Sequence, residues 1–185
     1  MILSITTTLS RIEPQFFIVN FRFNILGLLL ALVVTACQPT GEAQAPADSQ
    51  TYFPISIDGE TLQLQLALNT AEQQKGLMSR DRLAEDHGML FLFERPEQRS
   101  FWMRNTRIPL DIGYFDSSGQ LIEVHKLFPY DENPVPSRSH EILIAVETNR
   151  GWYAAHGVKP GARLDLDALR AALARRNQSH SALNL

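Results

Sequence analysis

The densest group of side chains that could bind a ligand lies at residues 99–111 and combines an indole, three guanidinium groups, an amide and a carboxylate. If this segment is extended, Trp102 and Arg104 point to one side of it, away from Met103. An indole face beside a cation suits a sugar or a ligand that carries a carboxylate. The predicted ligand site consists of six residues: Arg80, Trp102, Arg104, Asn105, Thr106 and Asp111.

The same residues also have a purely structural interpretation. In this interpretation Trp102 packs in the core. Arg104 then forms an ion pair with Asp111 or Glu147. Asp111 comes at the start of an apolar run, where a carboxylate is unusual unless it is bonded. It could orient Arg80 or Arg104, and the sequence leaves both interpretations open.

Enzymatic activity is the competing functional interpretation. A hydrolase acting on an envelope polymer would use Asp111 or Glu147 as the acid/base, with Arg104 stabilising negative charge. However, the sequence contains no phosphate-binding glycine loop, no nucleophile elbow and no HExxH pattern. The sequence therefore favours a binding protein over an enzyme without deciding between them.

Neither a metal ion nor another cofactor is predicted. The histidines lack the spacing of metal ligands. Thioethers and imidazoles suit copper, but methionines in apolar segments usually fill the core. The side chains concerned are Met78, Met89, Met103, His87, His125, His140 and His156.

The only cysteine of the chain, Cys37, ends an apolar run over residues 25–36. A run of about a dozen residues has the length of a signal-peptide core and is short of the roughly 20 residues that span a bilayer. Residues 34–37, Val-Thr-Ala-Cys, resemble the lipobox of bacterial lipoproteins, in which the cysteine is lipidated and becomes the first mature residue. We therefore predict a signal peptide at residues 1–36, with the true start near residue 19, and a membrane anchor at Cys37.

The chain after the predicted anchor is expected to be a flexible tether. Residues 37–50 are rich in proline, alanine, glycine and polar residues, with no apolar set to bury. By resemblance to lipoprotein sorting in Gram-negative bacteria, Gln38 after the cysteine favours the outer membrane. The predicted location is the cell envelope, in the inner leaflet of the outer membrane and facing the periplasm.

Composition and length narrow the classes of protein to which the chain can belong. The formal net charge of -3 gives no signal of nucleic-acid binding, so no nucleic-acid partner is predicted. The chain beyond residue 50 has no cysteine, and so it has neither a disulfide framework nor a thiol nucleophile. Its length fits one domain.

Short strands are the elements that must position the site. Leucines alternate with polar residues at 61–68, which predicts a half-buried strand. A capping-box pattern at 70–73 predicts a short helix that Thr70 caps, with Gln73 reaching back. We predict a mainly β (α+β) fold, a single compact antiparallel β-barrel or sandwich-like domain with one or two short helices. Further strands are predicted at 88–93, 100–105, 110–115, 120–127, 141–146 and 163–166, and helical segments at 151–156 and 167–176.

Several motifs resemble, in order and spacing, those of the DUF192 family of small bacterial and archaeal proteins. They are GLMSR at 76–80, GMLFLF at 88–93, FWMRNTRIPLDI at 101–112 and a closing HGVKPG at 156–161. The resemblance covers residues 53–166. It implies a compact, mostly β domain, often secreted or lipid-anchored. It implies little about activity, because the function of the family is not established.

The chain departs from the family pattern in two places. Arg150-Gly151 stands where many members have Ala-Gly, and Ala162 stands where they have Asp, which puts a role for that carboxylate in doubt. The predicted boundaries are 51–166 for the DUF192-like domain and 167–185 for a short C-terminal helix and disordered tail.

The functional prediction combines the anchor and the candidate ligand site. We expect a lipid-anchored envelope protein that binds a small polar ligand or a cell-wall component, such as a glycan or peptidoglycan. The alternatives are the envelope-polymer hydrolase and a scaffold for another envelope protein.

Overall fold

A six-stranded β-sheet is the centre of the computed structural model, which describes residues 47–180. A two-stranded sheet and three short helices complete this part of the chain. The strands are β1 (Phe53–Ile57), β2 (Glu60–Ala67), β3 (His87–Glu97), β4 (Ser100–Phe101), β5 (Leu110–Phe115), β6 (Leu121–Leu127), β7 (Val135–Pro136) and β8 (Ile142–Asn149), and the helices are α1 (Thr70–Lys75), α2 (Trp152–Ala155) and α3 (Leu166–Arg175).

The sheet confirms the mainly β prediction but is neither fully antiparallel nor closed. Its order is β1-β2-β3-β8-β5-β6, and β4 pairs with β7 in the small sheet. β2 and β3 are parallel, while every other pair is antiparallel. The reason is the connection through α1, which returns the chain to the end of the sheet where β2 began. Among residues 47–180, β1 and β6 remain as edges, so the sheet does not close into a barrel, one of the two predicted arrangements.

One face of the sheet packs against the helices. Leu62, Leu64 and Leu66 of β2 lie in this cluster, as their alternation predicted. Trp152 of α2 and Leu169 of α3 close the cluster from the other side. The C-terminal helical prediction at 167–176 is thus confirmed in kind, with the helix beginning one residue earlier.

The opposite face is covered by loops instead of helices. Its cluster includes Phe91 of β3 and Tyr114 of β5. The covering residues are Leu77, after α1, and Met103 and Ile108, between β4 and β5. This face therefore lies beneath irregular segments that carry most of the predicted site residues.

Several predicted boundaries differ from the structure; for example, β3 continues to Glu97 instead of residue 93, and β8 continues to Asn149 instead of residue 146. The strand predicted at 100–105 ends at Phe101, because the chain then turns: the Thr106 N–H donates to the Met103 carbonyl at 3.0 Å, and Asn105 has φ 54°. The strand predicted at 163–166 amounts to two isolated bridges, through Arg163 and Leu164.

The residue that caps α1 also differs from the prediction. Asn69, not Thr70, caps the helix, since its side chain accepts the Glu72 N–H at 3.0 Å. The Glu72 carboxylate reaches back to accept the Leu68 N–H at 2.8 Å. The arrangement is similar to a capping box placed one residue earlier than predicted, except that Glu72 bonds the residue before the cap. The asparagine amide oxygen is as good an acceptor as a hydroxyl.

None of the helices between residues 47 and 180 has the length and apolar character needed to cross a membrane. The predicted signal peptide at 1–36, and the start of the tether, lie outside the described residues. The tip of the predicted C-terminal tail, 181–185, lies outside them as well.

Candidate functional site

A row of five residues crosses the sheet beneath the covering loops. Pairing in register across β2, β3, β8, β5 and β6 aligns them side by side. Because paired residues of neighbouring strands point to the same side, all five side chains face the loops. The row consists of Gln65, Met89, Glu147, Ile112 and His125.

Glu147 is the most unusual member of this row. Glu147 is only 4% exposed. No donor between residues 47 and 180 forms a hydrogen bond to its carboxyl group, and the nearby Arg80 guanidinium bonds Gln65 instead. Burial raises the pKa of Glu147 to about 8, against the opposing effect of the Arg80 guanidinium. A carboxyl group with this pKa is mostly protonated at neutral pH, so Glu147 presents both a donor and an acceptor.

Arg80 is held in place from two directions. Its guanidinium donates to the Tyr52 hydroxyl at 3.1 Å and to the side-chain oxygen of Gln65. The Gln65 amide in turn donates to the Gln50 carbonyl at 2.8 Å. These bonds fix Arg80 to β2 and to the segment before β1, close enough for its charge to act on Glu147.

A small cavity of about 40 Å³ reaches Glu147 from the surface. Thr106 and Trp102 line it on one side, and the end of α1 lines it on the other. The wall is apolar apart from Glu147, Thr106 and the polar residues of α1. The remaining lining residues are Gln73, Gln74, Lys75, Gly76, Leu77, Met78, Phe91 and Phe101.

A larger cleft of about 300 Å³ adjoins this cavity. The cleft and the cavity share lining residues on α1, on β3 and in the FWM segment, residues 101–103. Aromatic rings and side-chain amides dominate its wall. The cleft is lined by Thr70, Gln73, Gln74, Phe91, Phe93, Gln98, Arg99, Ser100, Phe101 and Trp102. We refer to it below as the Trp102 cleft.

Trp102 lies at the surface, where it can contact a ligand. It is 46% exposed, so the interpretation that it packs in the core was wrong. The Arg104 guanidinium lies 5.5 Å from the indole centroid. Within residues 47–180, Arg104 forms no ion pair, so the predicted tie to Asp111 or Glu147 is also absent. The turn after Phe101 explains this placement, because it buries Met103 and leaves its neighbours outward.

Arg99 is a cleft residue that the sequence prediction omitted. Its guanidinium carbon lies 3.8 Å from the Phe93 centroid, and Glu97 pairs with it. Burial lowers the pKa of Arg99, and the Glu97 carboxylate partly offsets that effect. Its Nε is buried without a partner among the described residues. The available signal was its position two residues before Phe101, whereas nothing in the sequence indicated the α1 glutamines.

Asp111 lies on the other face of the sheet from Glu147. It pairs with Thr148, one residue further along β8, and successive residues of a strand point to opposite faces. Its carboxylate accepts the Gly151 N–H at 2.7 Å and lies 3.3 Å from the Arg150 Nε. Asp111 therefore ties β5 to the start of α2 and does not reach the Trp102 cleft.

The other predicted site residues lie in the covering loops. Thr106 is buried, lines the small cavity and donates to the Arg104 carbonyl at 3.2 Å. Asn105 is exposed, and its carbonyl accepts the Ser79 N–H at 2.9 Å, which joins the two covering loops. The structure thus brings Trp102 and Thr106 to the cavity, with Arg80 behind it.

Metal-ligating groups do not converge in this region. No cluster of three or more histidine, cysteine or acidic side chains suited to a metal occurs within residues 47–180. Met89 and Met103 are core residues of the loop-covered face, and Met78 lines the small cavity.

Comparison with known proteins identifies the family of this domain. The model of the DUF192 family, described as an uncharacterized ACR, matches residues 53–166. The chain belongs to the DUF192 family. The matched region begins at the first strand and includes both the small cavity and the Trp102 cleft. A comparison with curated proteins gives no match.

Solved structures agree with this assignment of the DUF192 domain. A protein of unknown function from Novosphingobium aromaticivorans is 37% identical, with a TM-score of 0.60, over 67% of this chain and 94% of its own. A structure from Sinorhizobium meliloti, described as a candidate transcription regulator, is 33% identical, with a TM-score of 0.59, over 62% of this chain and 95% of its own. Both share the fold of the DUF192 domain.

Proposed function

We propose that this protein is a lipid-anchored envelope protein whose DUF192 domain binds a saccharide of the cell wall in the Trp102 cleft. The observation that carries the proposal is the exposed indole of Trp102 at the edge of a 300 Å³ cleft walled by rings and amides. Ring faces cover the C–H side of a sugar, while amides bond its hydroxyl groups.

The polar residues of the cleft suit a neutral, hydroxyl-rich ligand. Gln74 and Gln98 each carry a donor and an acceptor, which a sugar hydroxyl can match. Gln73 offers its amide oxygen, since its amide nitrogen donates to the Leu92 carbonyl at 2.8 Å. The Gln98 amide also donates to the Ser137 carbonyl at 2.8 Å, and this bond positions it without using its oxygen. The Arg99 guanidinium supplies a fixed cation beside Phe93.

Hydrolysis of an envelope polymer has less support than binding. A glycosidase of the common type needs two carboxyl groups on one side of the substrate, about 5–9 Å apart. The two candidate carboxyl groups, of Asp111 and Glu147, lie on opposite faces of the sheet. The scaffold alternative would draw on the exposed Trp102, Phe128 and Tyr130, which also leaves Trp102 as the residue to test.

The membrane anchor belongs to the same proposal. Cys37 would carry the lipid, and residues 37–46 would link it to the DUF192 domain. The chain joins the domain beside α3, where the Ala47 N–H donates to the Arg175 carbonyl at 2.9 Å. This arrangement would hold the Trp102 cleft near the periplasmic surface of the outer membrane.

The test is calorimetric titration of the full chain in detergent with soluble peptidoglycan fragments. Saturable binding is expected, and Trp102→Ala should weaken it at least tenfold, equivalent to about 1.4 kcal/mol. Phe128→Ala is the matched control, because Phe128 is 56% exposed, lies against Arg150 and does not line the cleft. Absence of saturable binding, or equal losses in both variants, would contradict the proposal.

A further inference from the structure

The small cavity beneath Trp102 is too small for a sugar ring but large enough for a substituent. Its volume of about 40 Å³ has room for on the order of three water molecules, or a group of three or four non-hydrogen atoms. The adjoining cleft has the volume of a ring or two. A saccharide that lies against Trp102 can therefore send one short side group toward Glu147.

The lining of the cavity selects the chemistry of that side group. Leu77, Phe91 and Phe101 supply apolar walls, and Thr106 and Glu147 supply polar groups. A matching group is apolar at one end and carries both a donor and an acceptor at the other. An acetamido group meets this description, because its methyl fits the apolar wall while its N–H and carbonyl face the carboxyl group of Glu147.

We infer that the small cavity binds the acetamido group of an N-acetylated sugar whose ring lies against Trp102. The inference rests on the proposed function and narrows its ligand to N-acetylated glycans. Glu147 is unbonded within residues 47–180 because its partner is the ligand's amide.

The charges around Glu147 disfavour an amino sugar. Lys75 of α1 lines the cavity, and Arg80 acts on Glu147 from the loop before β3. Both of these side chains are positively charged and therefore repel a ligand ammonium group. Burial keeps the pKa of Tyr114, on β5, well above its usual range, so this neighbour stays neutral. A hydroxyl in place of the acetamido group would leave the apolar wall without a partner.

The experiment compares three disaccharides of the same linkage on the full chain in detergent. They are N,N′-diacetylchitobiose, its deacetylated amine form and cellobiose. The expected result is that the acetylated sugar binds at least tenfold more tightly than the other two. Equal affinities, or tighter binding of the amine form, would overturn the inference.

Variants of Glu147 test whether the small cavity causes the preference for the acetylated sugar. Glu147→Gln keeps a donor and an acceptor and should retain the preference for the acetylated sugar. Glu147→Leu removes both and should reduce the preference to less than threefold, while Trp102-dependent binding of cellobiose remains. A preference that survives Glu147→Leu would contradict the assignment to this cavity.

The outcomes separate this inference from the proposed function. If all three sugars bind equally and Trp102→Ala weakens each of them, the saccharide proposal stands and the acetamido inference fails. If no sugar binds, both fail.

Discussion

Glu147 is placed where a stable core would have an apolar side chain. It is buried among Met89, Ile112 and the covering loops, and burial raises its pKa to about 8. A buried ionisable group without a hydrogen bond destabilises the folded state once the unfolded chain can ionise. This cost is expected at a functional site and has no structural benefit among the contacts described above.

The pH dependence of Glu147→Gln tests this cost. Below about pH 4.5 the acid is protonated in both states, and the two proteins should have similar free energies of unfolding. Between pH 4.5 and 8 only the unfolded chain ionises, so stability of the wild type is lost as the pH rises. Glu147→Gln should be more stable by about 3 kcal/mol at pH 7. Urea unfolding at pH 4, 5.5 and 7 measures the difference.

Glu123→Gln is the control of opposite sign. Burial alone would raise the pKa of Glu123, but His125, the Ser139 N–H and Arg138 hold it at about 2. Its stabilisation is therefore present above about pH 4.5 and is lost as the pH falls toward 2. This variant should be less stable than the wild type at pH 7. If both variants change stability in the same direction at pH 7, the described environment of Glu147 is incorrect.

The residue types in the sequence predicted part of the site. The rest was missed because it depends on which face of the sheet each side chain occupies. The indole and guanidinium of the FWMR segment indicated a ligand surface, and Trp102 does line an open cleft. Asp111 was included because a carboxylate in an apolar strand needs a partner. Its partners, Gly151 and Arg150, come from another element, and strand alternation directs it away from the cleft. Sequence alone does not reveal which face of a buried strand meets which partner.

Among the helices and strands, features set by the local sequence were predicted, and features set by long-range pairing were missed. Alternating leucines identified β2, and the apolar run at 110–115 matches β5 in full. The parallel pairing of β2 with β3 was missed because it depends on a long connection, which leaves no local pattern. The 100–105 strand was overextended, since the turn that stops it relies on the left-handed backbone of Asn105.

β3 and β8 approach each other closely at Gly88, and this packing of the two strands can be tested by mutation. A methyl group on Gly88 would lie 2.4 Å from the Glu147 carbonyl oxygen and 2.9 Å from a Leu64 methyl carbon. Backbone must move to relieve that overlap, so Gly88→Ala should lower the free energy of unfolding by about 3 kcal/mol. Because the shift occurs at Glu147, ligand affinity should fall as well. Urea unfolding and calorimetric titration measure the two effects.

Gly157→Ala is the matched glycine control. A methyl group there meets nothing within 4 Å, although the φ of 67° makes alanine unfavourable. The expected loss is about 1 kcal/mol, with unchanged ligand affinity. Equal losses for the two glycines would show that the β3–β8 approach is looser than described.

At the scale of the whole molecule, the proposal separates location from recognition. The predicted lipid on Cys37 would set where the protein lies, and the DUF192 domain would set what it binds. The two parts are joined by residues 37–46, which lead to the hydrogen bond between Ala47 and Arg175. Loss of the anchor should therefore leave the fold of the domain intact.

Cys37→Ser tests this separation. The variant should leave the membrane fraction and remain folded, because Cys37 precedes the domain in sequence. Fractionation of cells, followed by thermal unfolding of the released protein, measures both properties. Retention of the variant in the membrane fraction would contradict the anchor, whereas unfolding would contradict the independence of the domain.

The most direct test of ligand binding at the Trp102 cleft uses the two tryptophans of the chain. Trp152 is buried, and its indole N–H donates to Asp86 at 3.0 Å, whereas Trp102 is exposed beside the cleft. The two indole N–H resonances of ¹⁵N-labelled protein are assigned with Trp102→Phe and followed during titration with soluble peptidoglycan fragments. We expect the Trp102 resonance to shift saturably while the Trp152 resonance stays in place. A Trp102 resonance that does not move at saturating ligand concentration would contradict it.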